Sequence, residues 1–273
     1  MKTLNNHIIL YDADCPMCKL YTSQFVKSGM LGADGRAPYQ QMPEMVCPYV
    51  DRQRAVNEIA LVNTQTGEVE YGVKSLFKVI GNSFPVFGGL FKLGPFIWLL
   101  SKAYGFVSYN RRVIAPSVAG NHTTLDPSFS LKHRIAYLIF TWLMTGFILT
   151  HYANLLTAFV PPGNAWREYA ICGGQILFQG IVVSFYAPKK RWDYLGNMMT
   201  VSFAGALLLI PVILLAHFVY IPPLVYPLYF IVVAGLMLLE HIRRTKLMKL
   251  GWLLTISWVI YRILILLIIL NLI

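Results

Sequence analysis

The chain has 273 residues, of which 56% are hydrophobic, 14% aromatic and only 13% charged. Soluble domains carry roughly 25% charged residues, so a wholly water-soluble globule is excluded. The net charge of +11 does not point to nucleic acid. Residues 1–115 hold twelve Lys/Arg against eight Asp/Glu, and most of the other basic residues stand in short clusters beside apolar stretches, with anionic lipid headgroups as their natural neighbours.

The opening residues, MKTLNNHIILYDAD, lack a long apolar run, which reads against a signal peptide and keeps the first domain on the side where it is made. His7–Tyr11 is an apolar run of strand length. Asp12-Ala13-Asp14 breaks it, and Cys15-Pro16-Met17-Cys18 leads into a helical pattern that stops at Gly29, with Pro16 at a favoured first-turn position. Further on, residues 58–63 read as a strand, 64–67 as a turn and 68–71 as the hairpin partner. Gly72 ends the hairpin, a helix follows over 73–80, and helical segments are expected near 86–92 and 95–109. These elements make a small α/β domain over 1–116, joined by a linker rich in Ser, Thr, Pro and Gly (117–131) to a membrane part (132–273).

An apolar helix needs about 20 residues to cross the hydrocarbon core. Five candidates follow: Ile135–Leu155, Tyr169–Ala187, Leu195–Phe218, Leu224–Glu240 and Trp252–Leu272. The fourth is the shortest, and Pro227 suggests that it starts with a broken or tilted turn. Lys132 and Arg134, then Lys189–Arg191, then Arg243, Arg244, Lys246 and Lys249 mark alternate connections. By the positive-inside rule the N-terminal domain is cytoplasmic and the C-terminus outside, in a multi-pass cell (inner) membrane protein.

Inside the spans, Arg262 is a costly charge, and Gln175 and Gln179 share one helix face. They are candidates for a pocket that takes a polar headgroup or a quinone; the competing reading is hydrogen-bonded glue between helices. His151 and His217 read as interfacial histidines rather than haem ligands. Cys172 stands alone, so a thiol relay across the membrane is unsupported.

Strand, tight turn, CxxC, helix is an order with a chemical reason. A thiol at a helix N-terminus is acidified by free N–H groups and the helix dipole. Cys15 is the expected exposed nucleophile, and Cys18, one turn in, the resolving thiol. Asp12 and Asp14 complicate this, because nearby negative charge raises a thiol pKa: either they point away or one accepts a proton. The rival reading of a C-x-x-C pair is zinc. Its remaining ligands would have to come from Cys47, His7 or the aspartates, and neither a second CxxC nor an HxxxH exists. No metal or cofactor is therefore expected.

Tyr11-Asp12-Ala13-Asp14-Cys15-Pro16-Met17-Cys18 resembles the YDGxCxxC opening of the DCC family, described as thiol–disulfide oxidoreductases with a thioredoxin-like fold. IALVNTQTGEVEYGVKSL resembles that family's central hairpin and helix, and YGFVSYNRRVIAP its closing segment, with Asn110 and Arg111. The resemblance spans about residues 7–116. It implies a thioredoxin-like fold, with Cys15 and Cys18 as the redox pair and Tyr11, Asp12, Asp14, Pro16, Asn110 and Arg111 in support. Ala13 stands where the family usually has Gly, and no proline precedes Ile59, where thioredoxins place a cis-Pro.

The expected function is a membrane-tethered, cytoplasm-facing thiol–disulfide oxidoreductase. Its partners would be a thiol or disulfide protein or a small thiol, together with membrane lipids. The alternative is a transporter or a lipid- or quinone-binding bundle whose N-terminal domain senses redox state or docks a partner.

Overall fold

The computed structural model describes residues 1–116 and 127–271, which fall into two units, Met1–His133 and Arg134–Ile273. The expected linker, 117–131, lies largely outside the described residues. Its described end is fastened to the first unit: Ser128 Oγ accepts from Gln53 Nε2 and Asn57 Nδ2 at 3.0 and 3.1 Å.

The first unit runs β1 (His7–Tyr11), α1 (Pro16–Lys27), β2 (Arg36–Pro38), α2 (Arg52–Asn57), β3 (Ala60–Asn63), β4 (Val69–Tyr71), α3 (Val73–Ser83) and α4 (Gly94–Ile114). The sheet order is β2-β1-β3-β4, with β1 and β2 parallel and both other pairings antiparallel. A βαβ unit followed by a ββα unit in this order, with helices against the sheet, is a thioredoxin-like α/β fold. β1 is apolar on both sides because both faces are covered. Ile9 packs with Phe25, Leu31, Leu61 and Val79, while Leu10 packs with Tyr39, Val46, Val56 and Val62. Gly72 turns the chain from β4 into α3 at φ 65°, where a side chain would be strained and its Cβ would meet the Glu58 carboxylate.

Two elements of this unit differ from expectation. β2 is three residues long and edges the sheet, where Pro38 forfeits no ladder bond. α4 continues to Ile114, five residues past the expected Tyr109, so Asn110 and Arg111 lie on a helix that packs back onto the domain.

The second unit is helical: α5 (Leu131–Ala153, whose first turn lies in the first unit), α6 (Arg167–Tyr186), α7 (Arg191–Leu215), α8 (Val225–Leu247) and α9 (Leu253–Ile269). The first four are long and apolar enough to cross a membrane; α9 has 17 residues, about 25 Å at 1.5 Å per residue. In the first unit, Pro85–Lys92 with Gly94–Ile114 is also long and apolar enough but is bent by 91°. The bundle core combines Leu138, Val183, Met198, Leu254 and Trp258 with a second cluster of Ile148, Tyr152, Leu209 and Val233. Leu177, Ile181, Phe185 and Leu239 are exposed, as lipid-facing residues are. Pro227 lies in the first turn of α8, where no intrahelical N–H bond is lost, and the helix runs without a break past Glu240 to Leu247.

The basic clusters meet through their own hydrogen bonds. Arg134 at the start of α5 reaches Asp193 (3.3 Å) and the Trp192 carbonyl (2.8 Å) at the start of α7. Arg244 near the end of α8 donates to Asn197 of α7 at 2.9 Å, and Lys190 donates to the Met248 carbonyl at 2.7 Å. All three clusters therefore share one end of the bundle.

Candidate active site

The site is built where β1 ends. Cys15 caps α1 with extended backbone (φ −99°, ψ 109°), and its Sγ accepts from the Cys18 backbone N–H at 3.2 Å. Pro16 occupies the first helical position, where its missing N–H would have had no partner. Within the helix, Thr22 Oγ1 donates to the Cys18 carbonyl at 2.7 Å, holding the first turn tight. The sequence thus delivers a sulfur, rather than a Ser or Asp oxygen, to the unsatisfied N–H groups of a helix start.

The two thiols are driven apart in acidity. Cys15 is pushed down to about 7, chiefly by a hydrogen bond from the Cys18 thiol. Burial works against this shift, while the Cys18 N–H and the Arg111 charge assist it. Cys18 is pushed strongly up by donating to Cys15 and by burial. The Tyr21 hydroxyl is held neutral by burial and by the neighbouring Cys18. The pair is therefore split into an acidified Cys15 and a Cys18 held as the thiol. Both cysteines are free thiols and buried, Cys15 at 3% and Cys18 at 6% exposure. The expectation of an exposed Cys15 is corrected: the capping geometry turns its sulfur onto the helix end instead of outward.

A buried ion pair lies beneath the motif. Arg111 Nη2 contacts Asp12 Oδ2 at 2.9 Å, with both side chains under a tenth exposed. Arg111 also donates to the carbonyls of Val56 (2.6 Å) and Asn57 (3.2 Å). Asp12 Oδ1 accepts from the Asp14 backbone N–H and from Gln40 Nε2, each at 2.9 Å, and Gln40 Oε1 accepts from the Ala13 N–H at 3.1 Å. This net fixes the turn that aims Cys15. Asp12, whose charge opposes the Cys15 thiolate, is matched here by a guanidinium that favours it.

The other supporting residues are used less directly. Asn110 donates to the carbonyls of Phe106 and His133 at 2.9 and 3.0 Å and so locks the end of α4. The Tyr11 ring lies under the Arg36 guanidinium at 4.3 Å, tying β1 to β2. Gln40, Tyr21, Tyr104 and Ser108 were not legible as site residues. Tyr104 accepts from the Ile59 N–H at 3.0 Å, and Ser108 bonds to the Asn57 carbonyl beside Arg111. Of these, only Tyr104 was hinted at, by the aromatic pattern of α4. The zinc candidates are engaged elsewhere: Cys47 Sγ accepts from Arg52 at 2.9 Å, and His7 Nδ1 pairs with the Asn5 carbonyl at 2.7 Å. Among the described residues no three His, Cys, Asp or Glu side chains gather as a metal site.

In the bundle, Gln175 and Gln179 are buried. Gln179 accepts from Tyr194 OH at 2.8 Å and donates to Ser257 Oγ at 3.1 Å, and Gln175 reaches the Trp258 carbonyl at 3.5 Å. His241, stacked on Trp258, extends the net to Thr255. The glutamine amides are thus spent across helices. Arg262 lies over the Trp258 ring at 4.1 Å and reaches Ser202 at 3.4 Å. His151 and His217 each bond the backbone carbonyl four residues earlier, of Phe147 and Ile213.

Together these features define a thioredoxin-like domain with a CxxC cysteine pair, carried on a bundle of membrane-spanning helices. Compared with models of known families, with curated proteins and with solved structures, the chain matches none.

Proposed function

We propose that the protein is a membrane-tethered thiol–disulfide oxidoreductase of the kind its resemblance to the DCC family implies, with the redox domain facing the cytoplasm. The single observation that carries this reading is the split pair: an acidified Cys15 capping α1 and a Cys18 held as a thiol one turn away. The Cys15 thiolate attacks a substrate disulfide. A Cys15–substrate bond forms, the substrate S–S bond breaks, and the departing sulfur takes a proton. Cys18 then gives up its proton and attacks Cys15 Sγ, releasing the second substrate sulfur as a thiol. Two electrons pass to the substrate, and a second dithiol restores the pair by the reverse exchange. Both sulfurs are buried, so a substrate reaches Cys15 past the exposed Pro16, and small thiols have the easier path. The cytoplasmic orientation is supported by the basic clusters that share one end of the bundle.

The test is trapping. In the full chain, Cys18→Ser should accumulate a mixed disulfide with glutathione disulfide at Cys15, and Cys15→Ser should not. Equal behaviour of the two variants would sink the assignment of roles.

A second reading rests on Arg262. Its Nε is buried without a hydrogen-bond partner, and no carboxylate among the described residues lies within ion-pair distance. A lipid or quinone carbonyl would satisfy it. Arg262→Leu that lowers lipid or quinone binding while leaving dithiol chemistry intact would favour the bundle as the functional part.

A further inference from the structure

We propose that the bent segment 85–107 is a membrane-inserting wedge, which seats the redox domain on a bilayer surface carrying anionic headgroups. Two short 3-10 turns, Pro85–Gly88 and Leu90–Lys92, meet α4 at 91°. Outward from this bend stand Val86 (90% exposed), Phe87, Leu90, Leu93, Trp98 (63%) and Leu99 (58%). The other side is anchored: Phe77 of α3 stacks on Phe91 at 4.4 Å and on Phe96 at 6.0 Å. The apolar side chains are therefore held out by a rigid aromatic base, and so large an apolar surface calls for a partner.

Three observations identify that partner as lipid. Four N–H groups of the wedge are paired locally, Phe87 to Phe84, Lys92 to Gly89, Leu93 to Leu90 and Ile97 to Leu93, at 3.0 to 3.2 Å. Local pairing of this kind is what an apolar medium demands. Next, the sequence holds no Asp or Glu between Glu70 and Asp126, and the charges within 85–107 are Lys92 and Lys102, both exposed. Lysines beside a tryptophan and bulky aliphatics suit the boundary between anionic headgroups and acyl chains. Finally, the chain carries its own spanning helices, so a bilayer is present at high effective concentration.

The wedge is not a further span. The last turns of α4 are committed to the domain through Arg111 bonded to Asp12 and Val56. Only the first half of the bent pair is free to insert. Leu99 and Arg111 are twelve residues apart on α4, about 18 Å at the helical rise. Seating the wedge would thus hold the dithiol close above the headgroups and select thiols presented near the membrane.

Depth measurement tests this in the full chain. Native cysteines are replaced by serine, and nitroxides are placed at Val86→Cys or Leu99→Cys in phosphatidylcholine–phosphatidylglycerol vesicles. Leu177→Cys on α6 serves as the lipid-facing reference, and Thr66→Cys in the β3–β4 turn as the aqueous one. All four sites are exposed, so labelling leaves packing intact, and an oxygen-accessible Leu177 label verifies that the bundle is folded. The expected result is preferential collision with oxygen over a water-soluble nickel chelate at residues 86 and 99, weakened by Lys92→Glu with Lys102→Glu. Chelate accessibility equal to that at Thr66 would overturn the proposal. So would protection from both reagents, which signals a protein partner or a second copy.

Discussion

Replacing Arg111 removes two things at once: the counter-ion of a buried carboxylate and a positive charge beside two sulfurs. Leaving Asp12 buried without its cation should cost about 3–5 kcal/mol. Arg111→Met should therefore lower the unfolding midpoint and move the Cys15 titration above about 7. Asp12→Asn should move it the other way, because the Asp12 charge opposes the thiolate. The pH dependence of iodoacetamide alkylation at Cys15 reads both shifts, and movement in the same direction would contradict the electrostatic account. Stability follows by linkage. The folded Cys15 is depressed from 9.0 to about 7, so its contribution is fully present above 9 and is lost as pH falls through about 7. Cys18 is shifted upward, and its contribution is present below the ordinary thiol value and fades above it. The thermal midpoint of the reduced protein should rise from pH 6 to 8 and decline beyond 9. Cys15→Ser should remove the rising limb.

At the scale of elements, the start of α1 and the packing of α4 carry the site. Tyr104→Phe leaves the Ile59 N–H without its acceptor, and an unsatisfied buried donor costs about 1–3 kcal/mol. Chemical denaturation of the full chain should register that loss, and an unchanged midpoint would mean that the bond is replaced. In the bundle, Gly174 lies against the Tyr261 hydroxyl where a Cβ would overlap it. Gly174→Leu should therefore separate α6 from α9 and reduce the monodisperse yield in detergent. Much of this layer was readable in the chain. β1 and β3 are apolar runs bounded by turn residues, β4 follows as the hairpin partner of β3 across the 64–67 turn, and the five bundle helices follow from hydropathy alone. β2 was not, because Arg36-Ala37-Pro38 has no apolar pattern and is a strand only by pairing with β1. The motif and the Asn110-Arg111 pair were visible, but the 99-residue separation that closes Arg111 on Asp12 is tertiary. Gln40 carried no local signal at all. The burial of Cys15 was equally hidden, since capping geometry is set by the fold and not by spacing.

For the molecule as a whole, the account joins a dithiol to a membrane. The shared end of the three basic clusters predicts that a Thr66→Cys label reacts with an impermeant maleimide only after cells are opened; labelling of intact cells would reverse the topology. The central claim is that Cys15 and Cys18 cycle between dithiol and disulfide. Its most direct test is the reduction potential of the pair in the full chain, by thiol trapping across graded glutathione or dithiothreitol buffers. The account predicts a reversible two-electron couple between about −120 and −270 mV, the range of catalytic dithiols. A pair that forms no disulfide under any of these buffers would contradict it and leave the helical bundle as the seat of function.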